Sequence, residues 1–301
     1  MKLRLGTRRS ALALAQSGMM ARALEERHPG LTVELVPMVT TGDVVKGDLA
    51  EVGGKGLFTQ ELESGLLDGS LDLAVHSMKD LPVSLLGGLV VAAHPERADP
   101  RDALVSEAAE DLDGLPRGAV VLTGALRRRA QILLRRPDLE VEPIRGNVDT
   151  RLRKWRERNA GGVILAAAGL KRLGLTDLPV HPISADVLIP APCQGTLALE
   201  VRAGSPAEEL VRALDHLPTA LAARAERRVV AAFGGDCTLP LAAWARQEDG
   251  GLRMTALLST PDGTLAARGE ASGEDPDEVA AACVEEMRRN GADEVLRRIG
   301  K

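Results

Sequence analysis

The sequence predicts an α/β protein with two doubly wound domains and a small α+β domain at its C-terminal end. Three observations support this fold class. Short apolar strands alternate with helical patterns over the first half of the 301-residue chain, an order that builds a parallel sheet covered by helices. The strand, basic turn and helix of the first segment recur near residue 120. The last third carries apolar runs separated by hairpin turns, which favours a small antiparallel sheet.

The first domain opens with a strand at residues 3–7, LRLGT, and a helix from Ser10 to about residue 27. A second strand, LTVELVPMVT at 31–40, a helix near 57–68 and a third strand, LDLAVHSM at 71–78, continue the alternation. This order predicts parallel strands, and open α/β sheets bind their ligands beyond the carboxyl ends of such strands.

The second domain repeats this unit. VVLTGALRRRAQILLRR at 120–136 matches the first strand and helix, RPDLEVEPIRG at 136–146 matches HPGLTVELVPM at 28–38, and GGVILAAAGL at 161–170 supplies a further buried strand. Proline-rich stretches at 94–102 and 188–195 mark where the chain leaves the first domain and returns. Two crossings predict a two-strand hinge with a ligand cleft between two lobes, as in periplasmic binding proteins.

The third domain begins with a helix at about 219–232. The runs LAAWARQ, LRMTALLS and TLAARGEAS follow, separated by EDGG and TPDG turns, and two helices end the chain. We therefore expect a three-stranded antiparallel sheet covered by helices. The predicted domains are 1–95 with 196–214, 101–190, and 217–301.

Composition indicates a soluble globular protein and disfavours several function classes. Hydrophobic residues make up 45% of the chain, and the net charge of -5 argues against wholesale nucleic-acid binding. Aromatic residues are only 1%, so stacking platforms for bases are nearly absent. No run approaches the roughly 18 apolar residues of a membrane span, and the N-terminal stretch lacks a signal-peptide core. We expect a cytoplasmic protein without a nucleic-acid or membrane partner.

The three cysteines could serve as disulfide partners, metal ligands or nucleophiles. Their odd number, their wide separation and the absence of zinc-like spacing disfavour the first two roles. Cys283 shares a helical stripe with Val279 and Met287, which predicts core packing. Cys193 lies in the second proline-rich stretch. Cys237, in FGGDCTLP after a helix, is either a reactive thiol or an inert structural one.

Basic residues cluster in the turns that follow the predicted strands. Helix N-termini at such turns attract anions, and arginine adds bidentate recognition of carboxylate or phosphate. Any single arginine here is equally consistent with a solvated helix face, but their recurrence indicates sites for a substrate with several negative groups. The residues are Arg8, Arg9, Arg127, Arg128, Arg129, Arg145 and Arg151.

Lys55 lies in a glycine-rich stretch, GDVVKGDLAEVGGKG at 42–56. The stretch is not a P-loop, because the lysine is not followed by the serine or threonine that would bind magnesium. The remaining interpretations are a plain flexible loop and a lid over a ligand cleft.

The stretch LDLAVHSMKDLP at 71–82 places Ser77, Lys79 and Asp80 at the end of an apolar strand, where α/β sheets bind ligands. Asp80 beside a lysine should stay ionised, which suits it to stabilise a developing cation. The alternative is an ordinary turn cap before Pro82. His76, on the apolar strand, is predicted to be a packed histidine.

Taken together, these motifs resemble the porphobilinogen deaminases, also called hydroxymethylbilane synthases. The similar stretches follow one another in the family's order: TRRSALALAQ, VELVPMVTTGD, VGGKGLFTQELE, AVHSMKDLP, PERADPRDA, LRRRAQ, IRGNVDTRL, AAAGLKRLGL, PCQGTLALE and GDCTLP. The resemblance implies a three-domain transferase that condenses four porphobilinogen molecules on a dipyrromethane cofactor. It releases ammonia and the linear tetrapyrrole hydroxymethylbilane.

The resemblance also implies roles for individual residues. Cys237 matches the residue that holds dipyrromethane through a thioether, and Asp80 matches the catalytic aspartate that stabilises a cationic azafulvene. Gln194 matches a position at the domain hinge. The matching positions that bind acetate and propionate groups are Arg8, Ser10, Lys55, Ser77, Lys79, Thr123, Arg127, Arg128, Arg145, Arg151 and Arg172. On this basis we expect a monomer that binds porphobilinogen and no metal ion.

Some positions depart from the family's pattern. Gly124 and Ala125 stand where two serines are more frequent. If backbone N–H groups replace the missing hydroxyls, Gly124→Ser should change cofactor affinity by less than about 1.5 kcal/mol. Asp149, Cys193 and Asp236 each stand where glycine is common, which puts the local loop geometry in question.

The alternative function is a hinged receptor for small anions, since such receptors also have two α/β lobes. The predicted lack of an export signal disfavours a periplasmic receptor. A receptor would also have no need of Cys237, Asp80 or a third domain.

Overall fold

The computed structural model describes residues 1–40, 59–175, 177–234, 239–248 and 250–301. The chain forms two compact units, one of Met1–Ala98 with Thr196–Ala220 and the other of Asp99–Gly195 with Leu221–Lys301. The first two passages between the units fall in or beside the proline-rich stretches at 94–102 and 188–195. Lys55 and Cys237, with Asp236 beside it, lie outside the described residues.

The first unit is built on a five-stranded sheet that mixes parallel and antiparallel pairs. In chain order its strands are β1 (Lys2–Arg8), β2 (Thr32–Met38), β3 (Leu73–Ser77), β4 (Leu89–Ala93) and β10 (Leu197–Arg202). Their order in the sheet is β2-β1-β3-β10-β4. β1 is parallel to β2 and β3, as predicted. β10, on which the chain returns, is antiparallel to both of its neighbours.

Helices cover both faces of this sheet. They are α1 (Ala11–Arg27), α2 (Gln60–Asp68) and α6 (Pro206–Arg212). Leu73 and Val75 of β3 join the hydrophobic cluster that contains Leu24 of α1, whereas Ala74 joins the one that contains Leu62 of α2. Successive residues of a strand point to opposite faces, so β3 is buried on both sides.

The second unit contains a similar five-stranded sheet. Its strands are β5 (Asp102–Val105), β6 (Val120–Leu122), β7 (Glu140–Glu142), β8 (Gly162–Ala166) and β9 (Val180–Pro182), in the order β7-β6-β8-β5-β9. β6 is parallel to β7 and β8, and β5 is antiparallel to β8 and β9. The helices are α3 (Leu126–Arg135), α4 (Val148–Arg158) and α5 (Ala167–Arg172). The shared strand order confirms the internal repeat.

The same unit contains the predicted three-stranded antiparallel sheet, β11 (Leu241–Glu248), β12 (Gly251–Ser259) and β13 (Ala266–Gly273). It packs against α7 (Leu217–Ala232), α8 (Pro276–Arg289) and α9 (Ala292–Arg298). A Cβ on Gly263 would lie only 2.6 Å from the carbonyl oxygen of Ala130 on α3, so this sheet also contacts the five-stranded part. The predicted fold class is confirmed, and the division of this unit into two domains stays a prediction.

None of the helices that the structure describes combines the length and apolar character needed to cross a bilayer.

Candidate active site

In the first unit, the predicted site residues gather at the carboxyl ends of two adjacent parallel strands. Arg8 ends β1 and Ser77 ends β3. Ser10 caps α1, with its Oγ accepting a hydrogen bond from the amide of Ala13 at 3.3 Å. A single 3-10 turn, Met78–Asp80, follows β3 and presents Lys79 and Asp80 as exposed side chains. The exposure leaves the Asp80 carboxylate accessible to a ligand.

The turn that carries Asp80 is fixed to the sheet through its backbone. The amide of Met78 donates to the carbonyl oxygen of Thr196 at 3.0 Å, and the amide of Leu81 closes the turn onto Met78 at 3.2 Å. The place of Asp80 therefore depends on how the end of β3 is held against the start of β10.

The structure adds Gln16 to this cluster, a residue that the sequence reasoning missed. Gln16 is buried on α1 and its Nε2 donates to the Oγ of Ser77 at 3.2 Å. Ser17 next to it donates to the hydroxyl of Thr7 at 2.7 Å. Two consecutive buried polar residues in an apolar helix pattern are the signal that could have identified this contact, because buried polar groups need hydrogen-bond partners.

In the second unit, the site lies at the N-terminus of α3, directly after β6. Ala125 occupies the N-cap position, and no side chain caps the helix. The Oγ1 of buried Thr123 accepts a hydrogen bond from the amide of Ala125 at 3.3 Å. An uncapped helix start leaves N–H groups directed toward an anion.

Gly124 allows a close approach of the backbone at this helix start. A Cβ at this position would lie 2.5 Å from the carbonyl oxygen of Ile144. A serine at this position needs the backbone of one of the two loops to move, and the expected small effect of Gly124→Ser on cofactor affinity stays a prediction.

Arg145 and Arg151 lie after β7, at the same edge of the sheet as Thr123. Arg145 is exposed, and the Nε of Arg151 on α4 donates to the carbonyl oxygen of Gly146 at 2.7 Å. Asp149 occupies the first turn of α4, where a negative charge is favourable to the helix dipole.

Arg127 and Arg128 are buried and form ion pairs with the buried carboxylate of Asp102. An Nη of Arg127 lies 2.7 Å from one carboxylate oxygen, and the Nε and Nη2 of Arg128 donate to the other at 3.0 and 2.8 Å. The Nε2 of Gln194 donates to the same oxygen at 2.7 Å. The structure thus brings three predicted site residues together on one carboxylate.

Asp102 is the second residue that the sequence reasoning missed. Burial alone would raise the pKa of its carboxyl group, but Arg127 and Arg128 outweigh this and lower the pKa to about 2. Asp102 lies in the matched motif PERADPRDA. Its partners are more than twenty positions away along the chain, so no local pattern indicates the pairing.

Arg172 differs from Arg127 and Arg128 in that it is largely buried without an ion pair to a carboxylate of the described residues. Its Nη2 donates to the carbonyl oxygen of Gly195 at 2.7 Å, and its Nε is buried without a hydrogen bond. Burial lowers the pKa of this guanidinium to about 10, with no nearby carboxylate to offset the shift. A desolvated cation of this kind favours binding of an anion.

Both cysteines in the described part of the chain are buried, and neither is in a disulfide. Cys193 adopts a φ of 61°, in the left-handed region that glycine adopts readily, and its amide donates to the carboxylate of buried Glu226. Cys283 is 0% exposed in the core, as predicted, and burial raises its pKa to about 12. The raised pKa disfavours reaction of Cys283 as a thiolate.

Replacing Asp102 with asparagine is expected to lower the free energy of unfolding by about 3–5 kcal/mol at pH 7, because two buried guanidinium groups lose their counter-charge. Urea unfolding measures the loss. Asp113→Asn, at an exposed pair with Arg135, is the control and should change the unfolding midpoint little. An equal shift in both variants would contradict this account.

The ion pairs of Asp102 with Arg127 and Arg128 also predict an acid-dependent loss of stability. The pKa of Asp102 falls from an ordinary value of 3.8 to about 2 in the folded chain. Its stabilisation is therefore present above about pH 4 and disappears as the pH falls toward the folded value. Asp102→Asn should lack this part of the acid transition.

In the described residues, no group of three or more histidine, cysteine or acidic side chains is placed to hold a metal ion.

The chain resembles several solved binding proteins at low identity. A nutrient-binding protein from Burkholderia cenocepacia is 13% identical with a TM-score of 0.42, over 69% of this chain and 89% of that one. A probable amino-acid transporter binding protein from Bacillus subtilis is 10% identical with a TM-score of 0.42, over 78% and 98%.

Sequence comparison gives a closer match. Residues 3–209 match the sequence profile of the porphobilinogen deaminase dipyrromethane cofactor binding domain, and residues 220–289 match that of the porphobilinogen deaminase C-terminal domain. A protein of Syntrophotalea carbinolica named porphobilinogen deaminase is 50% identical over 263 residues, which cover 87% of this chain and 84% of that protein. The chain therefore belongs to the porphobilinogen deaminase family.

Proposed function

We propose that this chain condenses four porphobilinogen molecules head to tail with Asp80 as the catalytic carboxylate and Cys237 as the attachment point of dipyrromethane. The family is that of hydroxymethylbilane synthase, a transferase of tetrapyrrole biosynthesis, and its matched N-terminal domain binds the dipyrromethane cofactor. The proposal concerns which residues of this chain perform the reaction.

The residues of the second unit fit a cofactor that carries several carboxylates. Arg172 offers a buried Nε without a hydrogen bond, and α3 begins without a side-chain cap. Thr123, Arg145 and Arg151 lie near the same edge of the sheet. When bound, dipyrromethane supplies the pyrrole carbon to which the first substrate unit is added. These side chains would bind its acetate and propionate groups. The buried Nε of Arg172, which has no hydrogen bond, is the observation that carries this assignment.

Arg127 and Arg128 would contribute to this site in a different way. Their ion pairs with Asp102 fix the first turn of α3, so the N–H groups of the helix start are held in place before a ligand arrives. Preorganised donors of this kind bind anions without paying for reorganisation. The family resemblance assigns both arginines to the cofactor carboxylates, and each guanidinium has N–H groups beyond those bonded to Asp102.

Asp80 would act on porphobilinogen as ammonia leaves. Loss of ammonia produces a cationic azafulvene, and a fixed carboxylate stabilises a developing positive charge and accepts a hydrogen bond from the pyrrole N–H. Asp80 is exposed at the end of β3, near Lys79 and beyond Ser77. Arg8, Ser10, Lys55 and Lys79 would hold the substrate carboxylates. Asp80 would then contact the pyrrole nitrogen at which the positive charge develops.

Cys237 is proposed as the attachment point because the other two thiols are buried. Cys193 and Cys283 have 2% and 0% exposure, which prevents access by a bulky pyrrole. Neither Cys193 nor Cys283 is in a disulfide, which fits the reducing cytoplasm where we propose that the chain acts as a monomer.

Intact mass of the purified chain, followed by an ammonia assay with porphobilinogen, tests this function. The enzyme should carry an excess mass equal to two linked pyrrole units and should release one ammonia per porphobilinogen consumed. A bare mass with no ammonia release, together with tight binding of a small anion, would instead support the receptor.

A further inference from the structure

A buried polar layer lies between α2 and the sheet of the first unit, and the proposed site does not use it. His76 of β3, Glu200 of β10 and Glu63 of α2 are 6%, 0% and 3% exposed. The Nε2 of His76 lies 2.9 Å from a carboxylate oxygen of Glu200. The neighbours on this face include apolar Leu62 and Leu66. Burying such groups among apolar ones costs free energy unless they are paired.

Strand register explains how His76 and Glu200 meet. His76 lies opposite Ala198, and Glu200 lies opposite Ala74, so the two residues are diagonal neighbours on one face of the antiparallel pair. The pairing of β10 with β4 shifts register between Leu199 and Glu200. Such irregularities re-aim a side chain and are frequent beside active sites.

Glu63 belongs to the same buried cluster as His76 and Glu200. Burial, followed by the charge of Glu200, raises the pKa of Glu63. The close pair in this cluster is the Nε2 of His76 and a carboxylate oxygen of Glu200, and this pair connects β3 to β10.

The contact is placed where it can hold the turn that carries Asp80. His76 is the last residue but one of β3, and the amide of Met78 donates to Thr196 just before β10. The His76–Glu200 contact and the Met78–Thr196 hydrogen bond therefore both join the end of β3 to β10, from residues two positions apart in the chain. Loss of the first should loosen the second.

We propose that His76 is a positioning residue for the condensation: through its contact with Glu200 it fixes the end of β3 and so the place of Asp80. The role of Asp80 itself rests on the proposed function.

Three variants of the full-length, cofactor-loaded chain test this inference. His76→Phe removes the ring N–H and keeps a packed ring, whereas His76→Gln retains an N–H donor near the position of Nε2. The matched control is Asp72→Asn, directly before the start of β3, where Asp72 accepts hydrogen bonds from the Nε and the amide of Arg4 at 3.0 and 2.7 Å. Two readouts are needed: amide hydrogen exchange at Met78, and kcat with KM for porphobilinogen.

We expect His76→Phe to speed Met78 exchange and to lower kcat, each by about tenfold, the usual scale for loss of one buried polar contact. KM should change less than about threefold, because the groups that hold the substrate carboxylates remain. His76→Gln should recover most of both losses, and Asp72→Asn should show neither.

Wild-type exchange at Met78 in His76→Phe would overturn the inference, as would equal changes in Asp72→Asn, since these would indicate general loosening of β3. Faster exchange with unchanged kcat would also overturn it. A wild-type rate of ammonia release in Asp80→Asn would instead count against the proposed role of Asp80, while the exchange at Met78 still decides whether His76 holds the turn.

Discussion

Replacing Cys237 with serine is expected to give a folded chain that carries no dipyrromethane and releases no ammonia from porphobilinogen. A serine hydroxyl is a far poorer nucleophile than a thiol at neutral pH, so the thioether that we propose cannot be replaced by an ether. The fold should survive because the hydrophobic core of the C-terminal sheet is formed by other residues, such as Val229, Met254 and Met287. Intact mass and an ammonia assay measure both effects.

The two other cysteines supply matched controls. Cys193→Ser and Cys283→Ala should each retain the excess mass of two pyrrole units, because both thiols are buried. Cys283→Ala should also unfold at lower temperature, since it leaves a cavity in the core. Full activity in Cys237→Ser, or loss of the excess mass in one of the controls alone, would assign the attachment to a different residue.

The parallel part of each sheet could be predicted from the sequence, because apolar strands and helices alternate there with little interruption. The antiparallel strand β10 could not. Its residues Leu197–Arg202 form a buried run that includes Glu200, and its partner β3 lies more than 110 positions earlier in the chain. Only the complete fold brings the two strands together, so neither the pairing nor the His76–Glu200 contact has a local sequence signal.

The candidate site divides in the same way. The strand-end positions of Ser77, Asp80 and Thr123 follow from local patterns, and the structure has each of them at the end of a strand. The partners of Arg127 and Arg128 do not, because Asp102 lies on β5, two strands away from β6 in the sheet. The close approach at Gly124 depends on the backbone of a different loop, which residue types alone do not reveal.

Replacing Asp80 with asparagine is expected to separate cofactor binding from catalysis. The variant keeps the size and shape of the side chain but loses its negative charge. Since Asp80 is exposed on its turn, the chain should fold normally. Given preassembled cofactor, it should hold that cofactor on Cys237, because the arginines that we propose for its carboxylates belong to the other unit.

The rate of deamination should nevertheless fall roughly 100-fold to 10,000-fold in Asp80→Asn, the usual range for loss of a positioned acid-base or charge-stabilising group. Substrate affinity should fall much less, because cationic side chains bind the porphobilinogen carboxylates independently of Asp80. The measurement is single-turnover release of ammonia from the cofactor-loaded variant at saturating porphobilinogen, with the enzyme-bound species followed by mass. Glu34→Gln, which removes an exposed carboxylate of the same unit that is paired with Lys2, is the control for loss of charge alone. A wild-type rate in Asp80→Asn would move the catalytic role to another residue, and loss of the cofactor itself would make Asp80 part of the cofactor's binding site.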